Sequence, residues 1–412
     1  MAQRCTSARR NPCNVCLQGD VNMGVVIVGY ARTPFVKFNG LFATKTAAAL
    51  GAVAISSALT RAGVAADDVD HVFAGQVLQG GAGQNPARQA AVGAGIPLGV
   101  PAITLNAVCL SGIEAVVSGV RLITSGEAEI VVAVGQESMT LAPHAWPGSR
   151  RGSRYGAVEM LDTMEHDGLT DAFDGRSMGS STDERNADLG LTRADQDQWA
   201  AASHQRLASS MSFLAEEIAP VVVPGRLGAT VVSEDDGLRA GTTEQTLGQL
   251  RSAFSSSGTI TAGNSSQITD GAAAVVLMSE AAAARKGIPA IARVLAHAFV
   301  AGPDVSLHAQ PANAIKAALT KASCEVSELV AVEINEAFAA VSLHSTRELA
   351  IDPSMVNAHG GAIALGHPIG ASGTRIVGHL ARRLAAAGAG SIGAAGICGG
   401  GGQGSAVILE SI

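Results

Sequence analysis

Asn106-Ala107-Val108-Cys109-Leu110-Ser111-Gly112 opens an alanine- and valine-rich stretch that runs to Thr124, and the apolar run Ile130-Val131-Val132-Ala133-Val134 follows it. The order reads as a reactive side chain at a turn, then a buried helix, then a buried strand. A fainter copy lies near the other end. His367, in Gly366-His367-Pro368-Ile369-Gly370, also has a glycine three residues on, then the helical stretch Ser372–Ala387, then the β-rich run Ser391–Ile397. Two similar halves meeting face to face would bring the two helix starts into one pocket.

Other short apolar runs are Val25–Val28, Ala272–Met278, Leu329–Ile334 and Ser405–Leu409, with helical spacing at Thr44–Arg61 and Asn313–Ala322. Continuous apolar strands alternating with helices predict an α/β protein whose sheets are covered on both faces. At 412 residues the chain exceeds one ordinary domain. Hydrophobic residues make up 47% and aromatics only 3%, with 49 glycines, so the core must be built from Ala, Val, Leu and Ile with close backbone approach. From Leu141 to Gln267 the chain turns polar, with a basic cluster at Arg150, Arg151 and Arg154. It holds one clear helix start, Thr192-Arg193-Ala194-Asp195, in the form of a capping box. This segment reads as an insertion on the α/β scaffold.

A formal charge of −7 argues against nucleic acid as a partner. No apolar run reaches the roughly 18 residues of a membrane span. Six cysteines in so long a chain are no disulfide framework: Cys5, Cys13 and Cys16 crowd the start, while Cys109, Cys324 and Cys398 lie far apart. Working thiols at Cys109 and Cys398 require a reducing compartment. Residues 1–22 lack the apolar centre of a secretory signal and are expected to form a disordered extension, the folded part starting near Met23. Arg4, Arg9 and Arg10 with few acids leave organelle targeting as an alternative. Cys13-Asn14-Val15-Cys16 has no second ligand pair, so no metal is expected.

Most free cysteines are small buried hydrophobes. The place of Cys109 before Ser111-Gly112 and a helix makes it a candidate nucleophile, whose thiol the helix start is expected to draw from about 8.5 toward neutrality. His367 is expected at a helix start, with Pro368 in the first turn, where its ring stays neutral. Cys398 precedes Gly399-Gly400-Gly401-Gly402-Gln403-Gly404, which formally satisfies a dinucleotide-binding pattern but leads into a strand, so that reading fails on context. Glycines there let backbone N–H groups approach a reacting oxygen. Asn335-Glu336-Ala337-Phe338-Ala339 closes a Val- and Ile-rich strand, as a strand-end cap or as part of a site.

Four segments together resemble the thiolase family, and within it the short-chain acetyl-CoA C-acetyltransferases: Asn106–Gly112, Asn335–Ala339, Gly360-Gly361-Ala362-Ile363-Ala364-Leu365-Gly366-His367-Pro368-Ile369-Gly370-Ala371-Ser372-Gly373, and Cys398–Gly401. The likeness extends from about Met23 to Leu409. It implies a layered αβαβα fold of two similar halves, 23–140 with 268–288 and 289–412, plus an inserted loop domain at 141–267 that binds coenzyme A. It further implies that Cys109 is acetylated, that His367 activates it, and that Cys398 exchanges a proton with the substrate α-carbon or the leaving thiol. Asn335 would hold a water that joins His367 at the enolate oxygen. The N–H groups of Cys109 and Gly400 would hold the other oxyanion.

For coenzyme A the resemblance points to Met178, Ser266 and, near the nucleotide phosphate, Arg239. It implies acetyl-CoA and acetoacetyl-CoA as substrates, no permanently bound cofactor, no nucleic-acid or membrane partner, and a cytoplasmic homotetramer, a dimer of dimers. The tetramer-forming loop would lie at Arg154–Met164 with Asp167–Leu169. The chain departs from the family pattern at Ser177 (often histidine), at His359 (usually asparagine) and at Leu307-His308-Ala309-Gln310-Pro311, which replaces Met-Gly-x-Gly-Pro near the acyl pocket. The alternatives are a degradative 3-ketoacyl-CoA thiolase of broader chain length, a malonyl-using condensing enzyme and a noncatalytic coenzyme A-binding protein. The cysteine-glycine element at Cys398 disfavours the condensing enzyme.

Overall fold

Val25–Arg32 (β1), His71–Gly75 (β2), Ala102–Leu105 (β3), Ile130–Glu137 (β4), Thr269–Ser279 (β5), Ala292–Ala301 (β6), Leu329–Ile334 (β7), Ile392–Gly399 (β8) and Gln403–Ser411 (β9) form one continuous sheet path. The order is β7-β8-β9-β6-β1-β5-β4-β2-β3 in the computed structural model, which describes residues 24–226 and 228–412. The extension expected at 1–22, with Cys5, Cys13 and Cys16, lies outside the described residues. Pairing repeats between the two ends of the path. β1–β5 and β5–β4 are antiparallel and β4–β2 parallel; β6–β9 and β9–β8 are antiparallel and β8–β7 parallel. The two sets join where Val25 of β1 faces Val294 of β6.

Side-chain alternation sorts the layers. Along β5, Ala273, Val275 and Leu277 point to one core, and Ala272, Ala274 and Val276 to another. The second core is closed by Ala47–Ala62 (α1), through Leu50, Ala54, Ile55 and Ala58. The first core holds Ser111–Thr124 (α2) through Ile113, Val116 and Ile123. On the other set of strands, Ala394, Ala406 and Ile408 face Gln310–Ala322 (α5), while Ala395, Ile397, Val407 and Leu409 face the same central core as α2. Ser372–Ala387 (α8) completes that centre with Ile376, Val377 and Leu380. The layers are therefore α, β, α, β, α. Each fully buried Val, Leu or Ile adds roughly 1.5–3 kcal/mol, and the strands are apolar on both faces because both are covered.

Small residues let the central helices touch. A Cβ on Gly112 would sit 2.7 Å from the Gly370 carbonyl oxygen and 2.8 Å from the Thr374 nitrogen. The helix starts therefore abut at the middle of the molecule. Between β4 and β5 the chain carries Met178–Asn186 (α3) and Arg193–Ser209 (α4). Thr192 caps α4 by accepting from the Asp195 N–H at 3.1 Å. Helix α4 is tied down by Glu336, which accepts from Trp199 Nε1 (2.9 Å), Ser203 Oγ (2.7 Å), Asn357 Nδ2 (3.0 Å) and the Ile363 N–H (3.1 Å). The remaining helices used below are Ala339–Leu349 (α6) and Ala362–Leu365 (α7). Among the described residues no helix is long and apolar enough to cross a membrane.

Candidate active site

Cys109 sits in the turn between β3 and α2. Asn106 Oδ1 accepts from the Val108 N–H at 3.0 Å, and Ser111 Oγ accepts from the Ala107 N–H (2.9 Å) while donating to the Val108 carbonyl (2.6 Å). These contacts hold Val108 at φ +52°, a left-handed conformation that β-branched residues rarely adopt. The expected lowering of the Cys109 thiol does not occur. Burial pushes it up to about 12, helped by the charge of Glu137, against the pull of its own N–H and that of Gly400 on the sulfur. Helix α2 begins only at Ser111, and desolvation outweighs the two amide hydrogens. The resting group is a thiol that needs a base.

His367 lies between α7 and α8, not at the start of a helix as the sequence led us to expect. Pro368 is likewise outside the first helical turn; its carbonyl instead accepts from the N–H groups of Ala371 and Ser372. The ring is neutral, held at about 3 by burial and then by the Arg375 charge. Its Nδ1 lies 2.5 Å from Ser372 Oγ, whose own hydrogen goes to the Pro368 carbonyl at 3.1 Å. That arrangement puts the imidazole proton on Nδ1 and leaves Nε2 as the basic atom. Asn335, just past β7, brings Nδ2 to 3.4 Å from Nε2. The Asn335 Oδ1 is buried without a protein partner.

Cys398 is on β8, one residue before its end, and fully buried. Burial raises its thiol strongly, and the neighbouring Cys109 adds to the rise. The glycines after it turn the chain back into β9. Gly401 and Gly402 have φ of +75° and +68°, and a Cβ on Gly402 would strike the Asp304 carbonyl.

Cys109, His367 and Cys398 line one cavity of about 60 Å³, closed by Leu307, Met178 and Phe338. Met178, Ser266, Phe338 and His367 also line an adjoining pocket of about 410 Å³, so a long ligand can reach the thiols from outside. Arg239 is not on that lining; it is exposed, with Nη2 3.4 Å from Gln267 Oε1. Ser177, one of the departures, caps α3 by accepting from the Ser180 N–H at 3.2 Å.

Two supporting residues escaped the sequence reading. Ser372, inside the histidine segment, orients the ring. Glu137, the last residue of β4, accepts from the N–H groups of Val77 (2.9 Å), Leu78 (3.2 Å) and Gly370 (2.9 Å). Burial lifts its carboxyl to about 7 despite those three donors. An acid ending an apolar strand was the available signal, because a buried carboxylate needs partners.

Residues 25–281 match the thiolase N-terminal domain and residues 288–411 the thiolase C-terminal domain. A Mycobacterium tuberculosis protein named "Probable acetyl-CoA acetyltransferase" is 52% identical over 389 residues, 94% of this chain and 99% of that protein. The acetyl-CoA acetyltransferase of Pseudomonas aeruginosa is 46% identical over 93% of this chain and 98% of its own length. The crystal structure of the Bacillus anthracis acetyl-CoA acetyltransferase superposes with a TM-score of 0.92 at 34% identity, covering 95% of this chain and 99% of that one. With matches to both domains and such relatives over nearly its whole length, the chain belongs to the thiolase family.

Proposed function

We propose that the protein is an acyltransferase that condenses two acetyl-CoA into acetoacetyl-CoA and coenzyme A, and runs the reverse thiolysis, through an acetyl group carried on Cys109. The observation that carries this reading is that Cys109, His367 and Cys398 share one small cavity at the end of a longer pocket. The relatives' names supply the substrate.

His367 Nε2 takes the Cys109 proton as the sulfur attacks the thioester carbonyl, and the departing coenzyme A thiolate takes the Cys398 proton, which leaves Cys398 as a thiolate. The N–H groups of Cys109 and Gly400, which converge on the sulfur, are set to hold the oxyanion; each such donor is worth roughly 10²–10³ in rate. A second acetyl-CoA then loses an α-proton to the Cys398 thiolate. Its carbon attacks the acetyl-cysteine, the Cys109–acetyl bond breaks, acetoacetyl-CoA forms, and the Cys109 thiolate recovers its proton from His367. Asn335 and His367 serve the enolate oxygen, and the partnerless Asn335 Oδ1 suits a bound water. Two buried thiols of raised pKa fit this use, since each is a thiolate only while the substrate requires it.

We assign 23–140 with 268–288 and 289–412 to the two halves, and 141–267 to the coenzyme A-binding loop domain, with Ser266 and Met178 on the pantetheine path and Arg239 at its outer end. A cytoplasmic homotetramer fits the required free thiols and the exposed apolar groups Tyr155, Val158 and Met160. The test is intact-protein mass spectrometry after exposure to acetyl-CoA. One acetyl group located on the Cys109 peptide is expected. No covalent acetyl, with no thiolysis of acetoacetyl-CoA, overturns the proposal.

A further inference from the structure

His308 is a histidine within the departure Leu307-His308-Ala309-Gln310-Pro311, and the mechanism gives it no task. It is 1% exposed. Burial first, then the charges of His344 and Arg185, hold its ring neutral at about 4, against the pull of the Thr182 backbone and Asp304. Its Nε2 lies 2.9 Å from Asn186 Oδ1, and its Nδ1 lies 3.3 Å from Ser306 Oγ. Asn186 Nδ2 donates to Thr259 Oγ1 at 2.9 Å, which leaves Oδ1 as the acceptor and puts the imidazole proton on Nε2. The backbone on the histidine side is pinned as well, since Ser345 Oγ of α6 donates to the His308 carbonyl at 2.7 Å.

The two ends of this contact carry the walls of the acyl cavity. Leu307, next to His308, packs in one apolar cluster with Ala337, Val341 and Cys398, and Met178 and Phe338 lean against it. Met178 is the first residue of α3 and Asn186 the last. Helix α3 belongs to the insertion, whereas Leu307 precedes α5 of the second half, so nothing in the chain's connectivity fixes the gap between Leu307 and Met178. The His308–Asn186 bond fixes it from behind, and the Arg185–Asp304 ion pair braces the same junction at the surface. An unpaired donor or acceptor buried there would be costly, which makes the bond a stiff spacer.

We propose that His308 is a positioning residue that sets the Leu307–Met178 separation through Asn186, and thereby limits the acyl group accepted at Cys109 to short chains. The proposal rests on the acyl-transfer reading above. Loosening the spacer lets α3 retreat, so a longer 3-ketoacyl chain gains room while acetoacetyl-CoA loses contacts that hold it in the ground and transition states alike.

The test compares kcat/KM for thiolysis of acetoacetyl-CoA and of 3-ketohexanoyl-CoA in the wild type, His308→Leu, His308→Gln and Asn186→Leu. His308→Leu and Asn186→Leu should each raise the long-to-short ratio by about ten-fold, the order expected when a pocket wall changes by a methylene or two. Their loss on acetoacetyl-CoA should fall on KM. His308→Gln, which keeps an N–H donor near the Nε2 position, should stay within about two-fold of the wild-type ratio. The double variant should match the single ones, because both remove the same bond. A ratio unchanged in both leucine variants overturns the proposal, as does a glutamine variant that shifts as far as leucine. If His308→Leu fails to fold, Asn186→Leu decides by the same criterion. A wild type that cleaves neither substrate instead sinks the acyl-transfer reading beneath it.

Discussion

The Thr374 hydroxyl donates to the Gly112 carbonyl at 2.8 Å, bolting the helix that follows His367 to the helix that follows Cys109. Two residues separated by most of the chain thus register the two reactive loops against each other. The contact is possible because Gly112 and Gly373 have no side chains: a Cβ on Gly373 would meet the Ile113 backbone, as one on Gly112 would meet Gly370.

Gly112→Ala should therefore force α2 and α8 apart, destabilising the fold by about 1–3 kcal/mol and lowering activity further than stability alone explains. Thr374→Val, which removes only the hydrogen bond, should cost about 1 kcal/mol. Urea unfolding paired with thiolysis assays checks both. An alanine variant of unchanged midpoint and unchanged rate would deny the close approach any importance.

Cys109→Ala should abolish the acetyl-enzyme, whereas Cys398→Ala should still be acetylated slowly but lose condensation. Mass spectrometry reads the first step and acetoacetyl-CoA formation the second. Acetyl retained by the Cys109 variant would place the nucleophile elsewhere; near-normal condensation by the Cys398 variant would make that thiol structural.

Ser372→Ala should lower kcat/KM by roughly 10²-fold, the low end of what a positioned base contributes, with little effect on acetyl-CoA binding. It leaves His367 Nδ1 without the acceptor that selects its tautomer. Steady-state kinetics settle the point, and Ser372→Thr, which keeps the hydroxyl, should restore much of the rate.

Stability should fall on acidification below about pH 6.5. Burial, aided by nearby positive charge, holds His204 and His308 at about 4 and His367 at about 3 in the folded protein. The unfolded chain binds more protons through that window, so the contribution of these rings is whole above pH 6.5 and is lost as pH drops toward 4. At still lower pH Glu217 adds to the loss. Burial alone would raise its carboxyl, but His379, Arg32 and Arg382 overrule it and hold it well below the usual range. Urea midpoints between pH 7.5 and 4.5 check the trend; a flat profile contradicts it.

Much of this was legible in the linear chain. The runs that became β7 and α8 are continuous and apolar or strongly amphipathic, and their ends coincide with the structure's at Leu329–Ile334 and Ser372–Ala387. Such segments declare themselves because their own side chains must be covered. The half-exposed β6, Ala292–Ala301, mixes Arg293 and His297 with apolar residues and was not anticipated. The strand β2 and the edge strand β3 were missed as well, being short and held chiefly by neighbours distant in sequence.

Residue types and their local company marked the candidate reactive groups: a cysteine before a helix, a histidine among glycines, a cysteine ahead of a glycine turn. Tertiary structure alone decided their state. Cys109 is a thiol because it is desolvated from all sides, and the His367 ring has its free lone pair at Nε2 because Ser372 takes its other nitrogen. The width between Leu307 and Met178 depends on His308 finding Asn186 across two separately threaded parts of the chain. Protonation and distance are properties of the surroundings in space, which local sequence does not encode; spacing and composition encode only what each segment must hide.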